Sequence, residues 1–79
     1  MTEREICKNL GVTIAGLGVL SIAAGDIQGR AIGSAFGIAT HGPRLELRRD
    51  SMLQKMDFGP DVITPAGRDV VAKARDLGW

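Results

Sequence analysis

The stretch Val62-Ile63-Thr64-Pro65-Ala66-Gly67-Arg68 decides how this chain folds. Val62 and Ile63 are β-branched and read as the returning strand of a minimal hairpin. Thr64-Pro65 is then a strong helix start. The hydroxyl can accept from a first-turn amide, and the proline ring presets φ where a missing N–H costs nothing. Upstream, Phe58 opens the outgoing extended piece and Gly59-Pro60-Asp61 supplies the turn. Downstream, Val70, Val71, Ala74 and Leu77 form one apolar stripe, and Gly78 stops the helix. The C-terminal third therefore reads strand, turn, strand, helix.

Before the hairpin, residues 44–56 are the most amphipathic and most basic segment. Leu45, Met52, Leu53 and Met56 share one face at helical spacing, while Arg44, Arg48, Ser51 and Lys55 fall on another. Arg44, Arg48, Arg49 and Lys55 outnumber Glu46 and Asp50 there. The His41-Gly42-Pro43 corner should separate this helix from an earlier one over about 27–38. The N-terminus is equally explicit. Thr2 and Glu5 are spaced as a capping box for a helix over Glu3 to Leu10, with Gly11 as its left-handed stop. Thr13 can cap a second helix to about Ala24, apolar around nearly its whole circumference. Such a helix belongs at the centre of the molecule or at a subunit contact. The expectation is one domain over residues 1–79, mainly α: a compact bundle of four to five helices with a minimal β-hairpin.

Composition excludes several classes of function. The chain has 79 residues, 44% hydrophobic and 24% charged, with a net charge of +1. That is globular composition without a general pull toward anionic partners. One cysteine, Cys7, and one histidine, His41, furnish neither a disulfide nor a zinc site. Three aromatic residues, Phe36, Phe58 and Trp79, are too few for a stacking platform on single strands. No phosphate loop or dinucleotide fingerprint is present, and nothing orients Cys7 and His41 as nucleophile and base. No enzyme activity, cofactor or metal is expected. The uncharged run Asn9 to Gly25 is short and glycine-rich for a bilayer span, and Glu3 and Glu5 cancel the charge a signal peptide needs. A cytoplasmic setting without membrane attachment is expected.

The eleven glycines need places. Gly25, Gly29, Gly33 and Gly37 recur every four residues, but Asp26, Gln28 and Arg30 interrupt the apolar span a membrane zipper requires. The plainer reading puts Gly25 and Gly29 in a break and Gly33 and Gly37 at a close helix crossing. Gly67 reads as a first-turn residue of low cost. The segment Glu5 to Thr13 has helix-turn-helix spacing, yet the helix after it offers Ile14, Ala15, Gly18, Val19 and Ile22, which cannot read base edges. It reads as a structural helical hairpin.

From about Val12 to Trp79, the order helix, helix, basic helix, hairpin, final helix resembles the winged-helix domains of MarR-like regulators. Ile63-Thr64-Pro65-Ala66-Gly67-Arg68 matches that family's run after the second wing strand, and Leu53-Gln54-Lys55-Met56-Asp57-Phe58 its helix-to-wing junction. The resemblance implies transcription regulation through duplex DNA. Arg44, Arg48, Arg49, Ser51, Gln54 and Lys55 would be the groove and phosphate contacts, and a homodimer would double the patch. The short wing departs from the pattern by carrying Asp61 where Lys or Arg favours phosphate. A second resemblance, to small phage-encoded inhibitors of the anti-CRISPR kind, implies docking on a host protein–nucleic acid complex. Asp57, Asp61, Asp69 and Asp76 would be its acidic contacts.

Overall fold

A computed structural model describes residues 1–25, 41–58 and 61–79. In chain order these form α1 (Glu3–Leu10), α2 (Ile14–Ala23), α3 (His41–Arg49), β1 (Leu53–Gln54), β2 (Val62–Ile63) and α4 (Pro65–Asp76). The described fold is mainly helical with one two-stranded antiparallel hairpin. The helix expected over 27–38, with Gly29, Gly33 and Gly37, lies outside the described residues.

The caps follow from local chemistry. The Glu5 amide donates to Thr2 Oγ1 at 3.2 Å, and the Thr2 amide donates to Glu5 Oε1 at 3.1 Å, closing the capping box. The Thr2 amide and hydroxyl, both donating to Glu5 Oε1, hold that carboxyl below its ordinary pKa. Thr13 Oγ1 accepts the Gly16 amide at 2.9 Å, and Thr64 Oγ1 accepts the Gly67 amide at 3.2 Å. Three helix ends share one device, a left-handed residue that lets two amides reach back to orphan carbonyls. Gly11 at φ 71° ends α1, and Gly78 at φ 98° ends α4. At the end of α3 the left-handed residue is Ser51, at φ 61°. Its amide donates to the Arg48 carbonyl at 3.1 Å, and the Met52 amide donates to that of Leu47 at 2.8 Å.

Ser51 overturns the expected helix over 44–56. That helix starts earlier, at His41, and stops at Arg49. Pro43 sits in its first turn, where a proline removes an amide that had no partner within the helix. Beyond Ser51 the chain is extended, so Leu53 and Gln54 alternate in and out instead of sharing a helical face. The first strand is thus Leu53–Gln54, paired Leu53 to Ile63 and Gln54 to Val62, and Phe58 lies in the connecting loop. Because serine has a Cβ that a left-handed backbone crowds, Ser51→Gly should raise stability by about 0.5–1 kcal/mol. A higher urea midpoint with an unchanged slope is the expected reading.

The core sits where the elements converge on α2. Gly16 through Ser21 are buried, with Leu17, Leu20 and Ser21 at 0% exposure. Ser21 satisfies its hydroxyl by donating to the Gly18 carbonyl at 2.9 Å. Around α2 pack Ile6 and Cys7 from α1, Leu47 from α3, Leu53 and Ile63 from the hairpin, and Val70, Val71 and Ala74 from α4. The middle of α2, Gly16 to Ser21, is thereby used inside this chain, while Ile14 at its start is left half-exposed. Among the described residues no single helix is long and apolar enough to cross a membrane; α1 and α2, bent by 80°, pass by length and composition only as a pair.

Candidate nucleic-acid interface

The end of α3 and the base of the hairpin are tied together by Thr64 and Arg48. The Thr64 hydroxyl donates to the Ser51 carbonyl at 2.6 Å while accepting the Gly67 amide, so one side chain joins the stop of α3 to the start of α4. The Thr64 amide also donates to the Met52 carbonyl at 3.1 Å. Arg48 reaches across the hairpin to Asp61. Its Nε donates to Asp61 Oδ2 and its Nη2 to Oδ1, both at 2.9 Å. The Asp61 side chain is only 8% exposed and that of Arg48 29%, so this bidentate pair is shielded from water on one side.

This pair changes the role of two residues. Arg48, expected as a groove or phosphate contact, is engaged within the chain. Asp61, which looks misplaced in a wing, is what holds the returning strand against the basic helix. Nothing in the sequence links positions thirteen residues apart across a turn; the contact exists only once the hairpin has folded.

Arg48, Ser51, Gln54 and Lys55 come together around one shallow recess, floored by Leu53 and bordered by Thr64. Ser51, Gln54 and Lys55 are exposed there. Arg49, also exposed, is the last residue of α3, next to the Asp50-Ser51 turn. Arg44 stands apart, partly buried and outside the recess. The acids of α3 lie elsewhere. Glu46 and Asp50 line a separate cleft between α3 and the α1–α2 turn, together with Lys8, Val12 and Thr13. Neither acid lines the recess that Arg48 borders. Ser51 contributes an αL backbone and a carbonyl acceptor here, which no spacing rule anticipates.

Cys7 and His41 have separate surroundings. Cys7 is 4% exposed in the core, and burial, with Glu3 adding to it, pushes its thiol above the ordinary pKa. His41 is exposed at the start of α3. Of the acids suggested for docking, Asp61 is bound to Arg48, and Asp69 pairs with Lys73 one turn on, at 3.0 Å. Comparison with known proteins gives no matching family model, no matching curated protein and no matching solved structure.

Proposed function

We propose that this chain is a small winged-helix-like domain that binds duplex DNA through α3 and its hairpin. The observation that carries the reading is the recess between them, where Ser51, Gln54 and Lys55 are presented beside the Arg48–Asp61 pair. Lys55 and Arg49 supply cations for phosphates, and Ser51 and Gln54 supply donors and acceptors suited to phosphate or base edges. Arg48 acts by positioning: it fixes the wing to the helix so that the two meet one duplex as a unit. With a net charge of +1, affinity depends on this one patch, and a second copy on an adjacent half-site would add another.

The alternative, an inhibitor docking on a host protein–nucleic acid complex, draws on the acids of residues 57–79. Two of its four acids, Asp61 and Asp69, already have cationic partners in the chain, which weighs against it.

Titration of a fluorescent duplex by anisotropy at several salt concentrations tests the proposal. Binding should weaken steadily with salt, and Arg49→Ala and Lys55→Ala should each lower the logarithmic slope by about 0.9, the value for one lost phosphate contact. Duplex binding indifferent to both substitutions, or none at low salt, overturns it.

A further inference from the structure

Phe58 is 93% exposed, the most exposed of the large apolar side chains in the described structure. It sits in the loop between β1 and β2, and the same hairpin carries Met56 at 41% and Val62 at 48% exposure. Folding does not explain an aromatic ring that buries almost nothing. The strands on either side of the loop are anchored. Leu53 and Ile63 anchor the two strands in the core, and Asp61, three residues beyond Phe58, is bound to Arg48. In sequence the ring is followed by Gly59-Pro60. The loop also carries little net charge to repel phosphates: Arg48 neutralises Asp61, and Lys55 offsets Asp57.

We propose that Phe58 is a wedge, inserted from the minor groove at a base-pair step of the duplex bound by α3. This rests on the duplex-binding reading above. Apolar side chains enter base steps in this way, unstacking them and bending the helix toward the major groove. Flexible pyrimidine–purine steps such as TA yield most easily, so the wedge would give sequence preference without hydrogen bonds to bases. The occupant is favoured by continuity: the ring stands on the same hairpin that Arg48 fastens to the basic helix.

The test uses the full chain and a duplex carrying 2-aminopurine at a central TA step, with donor and acceptor dyes at its ends. Wild type should raise 2-aminopurine fluorescence severalfold and shorten the end-to-end distance, with both responses larger for TA than for a stiff A-tract. Phe58→Ala should fold as wild type, since the ring buries so little. It should keep the salt slope of binding and lose both the fluorescence rise and the bend, whereas Phe58→Leu should retain part of each. Salt-dependent binding by wild type without unstacking, or a bend that survives in Phe58→Ala, overturns the wedge and leaves duplex binding standing. Absence of any duplex binding by wild type overturns both, and would leave the ring to a pocket on a protein.

Discussion

Gly67→Ala should lower the unfolding free energy by about 2 kcal/mol, although it replaces glycine with the best helix former. Gly67 is buried in the first turn of α4. A Cβ there would run into the Met52 carbonyl oxygen, and would stand 2.8 Å from Ile63 Cγ1 and 3.2 Å from Leu20 Cδ2. The Met52 carbonyl cannot withdraw freely, because it accepts the Thr64 amide and belongs to the turn that ends α3. Overpacking of this kind costs about 1–3 kcal/mol, at the upper end where backbone must move. The gain in helix propensity, about 1 kcal/mol, offsets only part of that. Gly42→Ala is the control: nothing lies within 4 Å of a Cβ built at Gly42, so no loss is expected. Urea denaturation of both variants checks the pair. A neutral Gly67→Ala would mean that α4 does not pack this closely on the hairpin.

Arg48→Ala should cost about 2–3 kcal/mol and Asp61→Ala about 1–2 kcal/mol, because the two deletions strand different charges. Without Arg48, a carboxylate that is 8% exposed loses both its hydrogen bonds; without Asp61, a guanidinium that is 29% exposed can still turn toward water. The double variant should be less destabilised than the sum of the singles, since neither charge is then stranded. A double-mutant cycle by chemical denaturation measures this directly. Equal costs that simply add would show that the pair holds nothing in place.

These effects also mark where the sequence was informative. The capping box at Thr2 and Glu5, the left-handed Gly11, the Thr13 cap, the Thr64-Pro65 start and the Gly78 stop all lie where the residues foretell, because each signal is complete within four or five positions. The basic helix differs from its expected bounds at both ends for physical reasons. At its start, Gly42-Pro43 resembles a break, yet a helix tolerates proline in its first turn. At its end, Ser51 takes a conformation for which glycine is the usual signal, so nothing in composition marks the stop. Two-residue strands are also too short to show period-two alternation, and Leu53 could be assigned to a helical face until Ile63 appeared opposite it.

The candidate site was legible in composition but not in arrangement. Ser51, Gln54 and Lys55 do meet, on one side of the hairpin base. The partnership of Arg48 with Asp61 and the close approach at Gly67 are tertiary facts. They depend on the hairpin returning beside α3, and neither residue type nor spacing encodes them.

NMR of the labelled protein titrated with duplex DNA tests the central claim most directly. The account predicts amide and side-chain shifts concentrated on Arg49, Ser51, Gln54, Lys55 and Phe58, shrinking as salt is raised. Shifts gathered instead on the exposed sides of α1 and α4, or none at low salt, would contradict it.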